Sequence, residues 1–361
     1  MKKKILIIEN LFHFWQISEV VNLLKKDFDC KVLLPNQFTE LVNVKKHYFI
    51  KSKFRYLILL HAIFIAKKFD YIYFSTSPEY PDCPRNLKSF LFYFQQNLFF
   101  FIFLIFFKKK TIVYVRGVYR FIPEIHSNFV NKFFIWIRKK NFSVITRFVC
   151  ENNNLRNRFK NYFNKGEKKY LVTTLYTRFY HKKRNIFVKN KKKLNIGILG
   201  VIDPERKSYN LIYNFSKKYK NKIKLIFLGR RLKKDSTSVI NMFKLNDTKY
   251  INGFLTDLQL INWGKNCDVL VSLNKKELFY GSLKGTASFG DAISLQKPLV
   301  APNFTDAIKE FKDFTYYFKD KKDLEKILFN FIFKRNKKKI NFNKFSIDIF
   351  RNKFNKELML N

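Results

Sequence analysis

The string with the clearest chemical potential is Gly200-Val-Ile-Asp-Pro-Glu-Arg206-Lys207-Ser-Tyr-Asn-Leu. It follows an apolar run, Leu194–Leu199, that reads as a strand, and it precedes a helical pattern carried by Leu211, Ile212 and Phe215. A strand-to-helix turn presents backbone N–H groups and the positive end of a helix dipole, and both favour a phosphate. Arg206 and Lys207 add fixed cations able to grip a diphosphate. The competing reading is two more basic residues in a chain that contains 72.

The elements that must position this string follow an alternating rhythm. Lys4–Ile8 is a continuous apolar run of the kind buried in a parallel sheet. Ile17, Val20, Val21 and Leu24 then share one helix face, and Lys31–Leu34 reads as a second strand. Further strands are predicted at Tyr71–Phe74, Thr111–Val115, Val144–Val149 and Tyr170–Thr174. A charged stretch at 182–193, poor in core residues, reads as a linker. After it come strands at Leu194–Leu199, Ile223–Leu228, Val269–Leu273 and Pro298–Ala301, with helical periodicity from Asp320 to Phe333 and again toward the C-terminus. This is the pattern of doubly wound α/β domains. The expected organisation is a Rossmann-like domain over 1–182, a linker over 183–193 and a second Rossmann-like domain over 194–361, whose last helices could cross back to the first. The chain has 361 residues, a length that suits two domains.

Three further strings follow Lys207 in a fixed order. Ile226-Phe-Leu-Gly229 is a strand ending in glycine. Tyr250-Ile-Asn-Gly-Phe254-Leu255 precedes a helix and then Cys267-Asp268-Val-Leu-Val-Ser272. The third runs from Tyr280 through Gly285, Thr286, Ser288 and Asp291 to Lys297-Pro298-Leu-Val-Ala. In this ordered set, over 194–320, the chain resembles the GT-B glycosyltransferases, specifically the large retaining family (family 4-like, group 1) that uses nucleotide-sugar donors.

The resemblance implies two Rossmann-like domains facing a cleft, with the nucleotide-sugar as co-substrate and no cofactor or metal. Lys207, with Arg206, would lie against the donor diphosphate beyond Gly200. Asp291 stands where that family places a Glu before Ala, whose carboxylate accepts from the ribose hydroxyls. Phe254 and Leu255 would border the base, and Gly285, Thr286 and Ser288 would face the phosphates and sugar. The family has a second Glu eight positions earlier; that position here is Leu283, and Glu277 is the nearest upstream carboxylate. The end of the Thr111–Val115 strand, where the family often carries a catalytic-site histidine, carries Arg116-Gly117. Arg116 and Glu277 are therefore the catalytic candidates.

Other signals carry less. Asp27-Phe28-Asp29 has a metal-binding look but sits at a helix end and reads as solvated charge. Glu124 and His126 are candidate acceptor-side groups, or simply a surface loop. Glu151-Asn-Asn-Asn154 reads as a local helix cap. The chain has neither a Walker-type loop nor a dinucleotide fingerprint. The four cysteines, at 30, 83, 150 and 267, are scattered, which suits a reducing cytosol.

Charge is the most conspicuous bulk property. Lys and Arg number 72 against 27 Asp and Glu, a formal net of +45. Abundant Lys, Phe, Asn and Ile together point to an AT-rich coding background for part of it; the remainder points to a polyanionic partner. Residues 1–193 carry 39 basic and 11 acidic side chains, whereas 194–361 carry 33 and 16, so the first half is the more basic. That half also holds Ser89–Phe107, apolar except for Gln95-Gln96-Asn97 and followed by Lys108-Lys109-Lys110. The segment reads as a buried core helix, an interfacial helix or a bilayer span, and the three adjacent amides argue against the last.

Basic and apolar surface together suit an anionic membrane better than a nucleic-acid duplex, and no nucleic-acid partner is expected. The resulting expectation is a transferase acting on a membrane-presented or lipid-linked glycan, in surface polysaccharide or lipopolysaccharide synthesis, peripheral on the inner face of the cytoplasmic membrane. The alternatives are an inactive sugar-nucleotide binder and a basic nucleic-acid-binding protein.

Overall fold

The computed structural model describes all residues except 10–15, 53–56, 77–86, 123–128, 164–169, 181–192, 232–234, 245, 251–254, 334–339 and 359–361. The expected linker, Phe254, Cys83, Glu124 and His126 therefore lie wholly or almost wholly outside the described residues. The chain divides into two compact units, one of Met1–Leu175 with Phe350–Asn361 and one of Tyr176–Ile349.

The first unit runs β1 (Lys4–Ile8), α1 (Ile17–Leu24), β2 (Asp29–Pro35), β3 (Phe49–Ser52), α2 (Ile58–Ile65), β4 (Tyr71–Phe74), α3 (Leu87–Phe107), β5 (Thr111–Val115), α4 (Phe129–Ser143), β6 (Arg147–Cys150), α5 (Asn153–Phe163) and β7 (Leu171–Thr174). Among the described residues its seven strands are all parallel in the order β3-β2-β1-β4-β5-β6-β7. Ile5 to Ile8 are fully buried, as a strand covered on both faces by crossover helices must be. Leu6, Ile8, Phe74, Val113 and Phe148 from the sheet pack with Phe100, Phe103, Phe142 and Phe159 from the helices in one core. The α5 helix starts where Asn152 accepts from the Leu155 N–H at 2.8 Å, a side-chain cap of the kind the Asn run suggests.

The second unit runs β8 (Leu194–Leu199), α6 (Asn210–Lys218), β9 (Ile223–Leu228), α7 (Asp235–Met242), β10 (Thr248–Lys249), α8 (Asp257–Lys265), β11 (Val269–Val271), α9 (Ser288–Leu295), β12 (Leu299–Pro302), β13 (Thr315–Phe318) and α10 (Lys321–Phe333). A last helix, α11 (Ile347–Leu358), ends the chain's described part, and its residues from Phe350 on belong to the first unit. Among the described residues its six strands are parallel in the order β10-β9-β8-β11-β12-β13. Helix α8 opens on a reciprocal capping box: Gln259 N–H donates to Thr256 Oγ1 at 3.2 Å and Thr256 N–H to Gln259 Oε1 at 2.9 Å.

Each sheet grows first in one direction from its founding strand and then in the other. The reversal falls between β1 and β4 in the first unit and between β8 and β11 in the second. In open α/β sheets a ligand binds beyond the strand C-termini at such a reversal. The α/β class with two parallel sheets is as the sequence indicates. The predicted strands keep their bounds to within two residues, except that Val144–Val149 becomes Arg147–Cys150, because Val144 and Ile145 are tied by their N–H groups to Asn141 and Phe142 at the end of α4.

Candidate functional site

The reversal in the second unit brings together much of the sequence-predicted donor site. Gly200 ends β8 at a φ of +79°, and its N–H donates to the Leu228 carbonyl at 3.1 Å. A Cβ on Gly229 would fall 2.0 Å from the Gly200 carbonyl oxygen, so β8 and β9 end on two glycines in backbone contact. A Cβ on Gly200 itself would come within 2.9 Å of Lys207 Nζ. The lysine thus lies directly over the glycine turn, where its ammonium donates to the Leu199 carbonyl.

The path from Gly200 to Lys207 is a loop, and the helix after it lies where Leu211, Ile212 and Phe215 place it. Helix α6 begins only at Asn210. Between them the Asp203 carbonyl accepts from the N–H groups of Arg206 and Lys207, and Ser208 N–H donates to the Leu273 carbonyl at 2.9 Å. Lys275 N–H donates to the Arg206 carbonyl at 3.1 Å, and Lys207 bridges Asn274. The loop is laid along the chain that leaves β11, and its amides are consumed in holding it there. Cationic side chains, rather than amides of the α6 N-terminus, are what this turn offers an anion.

Lys207 is only 6% exposed. Burial, then the neighbouring Arg206 charge, lowers its pKa to about 7, against the smaller opposing pull of Asp291 and Asp203. Arg206 Nη2 donates to Tyr280 Oη at 2.5 Å. Arg230, directly after Gly229, is also lowered, by burial and by Arg206. Three basic side chains therefore lie together at the ends of β8 and β9, with Asp203 and Asp291 near Lys207, and the lowered pKa of Lys207 shows that an anion placed there would be favoured.

Opposite them, the end of β11 and the start of α9 form a hydroxyl and amide chain. Asn274 Nδ2 donates to Thr286 Oγ1 at 3.1 Å, Thr286 lies 3.2 Å from Ser288 Oγ, and Ser288 lies 3.1 Å from Ser272 Oγ. Gly285 is buried in the same loop. Asp291, in the first turn of α9, is engaged by Arg178, whose Nε donates to its Oδ1 at 2.9 Å with both side chains largely buried. The segment carrying Arg178 passes close by: a Cβ on Gly290 would meet Thr177 Oγ1 at 2.1 Å. A carboxylate expected to face ribose hydroxyls thus already holds a guanidinium.

Leu255 is half-buried just before the Thr256 cap. Glu277 lies exposed on a short 3-10 turn, Lys276–Leu278. Arg116 belongs to the first unit, so the two catalytic candidates lie on different units. There its Nη2 donates to Gln16 Oε1 at 2.7 Å and its guanidinium lies 5.4 Å from the Tyr114 ring centre. Around it, Glu9 at the end of β1 accepts from Ser75 Oγ at 2.5 Å and Thr76 Oγ1 at 2.7 Å, and burial pushes the Tyr73 and Tyr114 hydroxyls up. Sequence reasoning missed Arg178, Tyr280 and Arg230. Only Arg230 had a local signal, its place directly after a glycine that ends a strand.

No family model matches the chain, and no curated protein matches it in sequence. Solved structures do match it in three dimensions over its whole length. Anabaena HepE, solved in complex with UDP-glucose, aligns at a TM-score of 0.64 with 11% identity, over 99% of this chain and 100% of that one. Staphylococcus aureus MnaA, solved with UDP, aligns at 0.60 with 12% identity, over 100% of this chain and 98% of that one. A UDP-forming α,α-trehalose-phosphate synthase from Burkholderia vietnamiensis aligns at 0.60 with 7% identity, over 100% and 99%. The fold is GT-B. At these identities it is the backbone architecture that is shared, and the side chains described above are this chain's own.

Proposed function

We propose that the protein is a glycosyltransferase that takes a nucleotide-diphosphate sugar on its second unit and transfers the sugar to a membrane-presented or lipid-linked glycan. The observation that carries the reading is the crowding of Lys207, Arg206 and Arg230 at the β8/β11 reversal of a GT-B chain, with Lys207 over the glycine turn. The UDP and UDP-glucose in the HepE and MnaA structures support a uridine diphosphate donor.

The chemistry follows from charge. Glycosyl transfer breaks the bond between the anomeric carbon and the diphosphate, and negative charge accumulates on the leaving oxygen. Preorganised cations stabilise that charge as it develops. Lys207 is suited to this because its protonation responds to the anion: a group near pKa 7 gains its proton when a phosphate arrives. The hydroxyl and amide chain from Ser272 to Thr286 would orient the phosphates or the sugar. Arg116 and the groups around it would serve the acceptor, on the cytoplasmic face of a membrane. Surface polysaccharide or lipopolysaccharide assembly would supply such an acceptor.

A second reading is a nucleotide-sugar binder without turnover. It is favoured by the engagement of Asp291 with Arg178 and by the exposure of Glu277. A thermal-shift panel of nucleotide-sugars tests the shared part, since saturation at a hundred times Kd stabilises the fold by about 2.7 kcal/mol. Release of nucleotide from the stabilising donor, with and without glycan acceptors, separates the two. A panel with no stabilising nucleotide-sugar would refute both.

A further inference from the structure

The helix α3 presents its side chains in an order opposite to that of a soluble surface helix. Leu87, Leu91, Phe94, Leu98, Phe101 and Ile105 recur at alternating spacings of four and three, so they form one stripe, and each is between 42% and 73% exposed. The opposite face carries Phe100, Phe103 and Leu104 into the core of the first unit, and Gln96 and Asn97 are buried beside them at 1% exposure. The amides point inward and the hydrocarbon points out.

The apolar surface is wider than one seam. Helices α2 and α4 both pack against α3. They add Phe64 at 68% and Trp136 at 57% exposure. An exposed apolar stripe of this length, on a helix flanked by others that also expose large apolar side chains, is the kind of surface that marks an interaction site.

Charge decides what covers it. None of α2, α3, α4 or the short turns that follow α2 and α3 contains an Asp or Glu. The turn after α2 exposes Lys67 and Lys68, and the turn after α3 exposes Lys108 and Lys109. These two turns are neighbours, because Lys110 Nζ donates to the Phe69 carbonyl at 2.8 Å. An apolar stripe therefore ends in a cluster of four lysines. Trp136 has Lys140 Nζ 6.0 Å from its ring centre, a pairing of the kind found where aromatic side chains sit at a lipid–water boundary.

We propose that this face docks on an anionic bilayer surface, with α3 lying in the plane of the membrane and its Leu/Phe stripe among the acyl chains. A phospholipid surface alone supplies both hydrocarbon for the stripe and phosphate for the lysines. Nucleic acid would neutralise the lysines and leave the stripe in water. A second copy would cover the stripe but offers only Asp70, which already accepts from the Lys4 N–H at 2.7 Å, against four exposed lysines. A span is excluded by the same helix, since its inner face is core to the sheet and holds two buried amides.

The inference stands apart from the donor assignment, because vesicle binding and UDP-glucose binding are read separately. The test is co-sedimentation of the full chain with phosphatidylcholine vesicles and with vesicles of equal parts phosphatidylcholine and phosphatidylglycerol, at low and high salt. Wild type should bind the anionic vesicles and release them as salt rises. L98S/F101S should lower that binding at least about tenfold, the scale of re-exposing buried leucine and phenylalanine side chains. K108Q/K109Q, which touches no core residue, should lower it about 25-fold, at about fivefold per lysine near an anionic surface. Both variants should keep the wild-type UDP-glucose response. Equal affinity for the two vesicle types, no binding at all, or variants that bind like wild type would overturn the proposal. So would a wild-type dimer that L98S/F101S dissociates while vesicle binding is unchanged, which would assign the face to a second copy.

Discussion

Binding of a nucleotide-diphosphate sugar should take up a proton, and Lys207 should be the group that takes it. In the free protein its pKa lies at about 7, chiefly through burial, so near neutral pH half of the molecules carry a neutral amine over Gly200. A diphosphate placed there supplies the compensating charge that burial withholds and should return the lysine toward its ordinary value near 10.5. The donor diphosphate does not itself titrate between pH 6 and 8.5. Affinity should accordingly fall as pH rises through the free-enzyme value, approaching tenfold per unit. Between pH 6 and 8.5 the loss comes to about 30-fold, or about 2 kcal/mol at 1.36 kcal/mol per unit. Calorimetry with UDP-glucose in buffers of different ionisation enthalpy measures both the affinity and the proton count. Lys207→Met keeps the length of the stem and cannot titrate, so its affinity should be weaker at pH 6 and nearly flat above it. A flat wild-type profile, or the same slope in Lys207→Met, would refute the reasoning.

Further outcomes follow from the same geometry. The depressed lysine also links folding to pH: the unfolded chain binds more protons between about pH 7 and 10.5, so wild type should gain stability relative to Lys207→Met across that window, measured by denaturant unfolding at each pH. Asp291→Asn removes one partner of a largely buried ion pair and should cost about 3 kcal/mol of stability as well as any donor affinity; an unchanged unfolding midpoint would show that the Arg178 contact is not formed in solution. Gly229→Ala drives a Cβ into the Gly200 carbonyl and should destabilise the second unit by about 3 kcal/mol or more, with a matching loss of UDP-glucose response. Tyr280→Phe frees Arg206 from its hydroxyl partner and should weaken donor binding by about 1 kcal/mol without altering the thermal midpoint by more than a few degrees. Glu277→Gln, on an exposed turn, should leave donor affinity within about twofold of wild type, as expected for a surface substitution.

The parts of the fold legible in the sequence are those whose burial leaves a continuous apolar trace. Lys4–Ile8, Tyr71–Phe74, Thr111–Val115, Leu194–Leu199 and Ile223–Leu228 are strands at their predicted bounds, each inside a parallel sheet with both faces covered. The strands that went unrecognised, β3, β10 and β13, lie at sheet edges and span four, two and four residues. An edge strand needs less apolar surface and leaves less of a pattern. The Gly200–Lys207 turn was visible because its parts are adjacent in sequence. Arg178 was not, since the pairing with Asp291 is made across 113 residues by a segment that periodicity does not mark. Tyr280 was named only as the start of a loop, and nothing local announces its bond to Arg206. The apolar segment before Lys108 was open to three readings because composition does not say which way a side chain faces. Gln96 and Asn97 turn out to lie on the covered side and the stripe on the other.

The most direct test of the central claim is a crystal structure of the protein with UDP bound. The diphosphate should lie at the β8/β11 reversal, with a phosphate oxygen within hydrogen-bond distance of Lys207 Nζ in place of the Leu199 carbonyl, and Arg206 or Arg230 on the same phosphates. UDP seated elsewhere, with Lys207 still donating to Leu199, would contradict the claim.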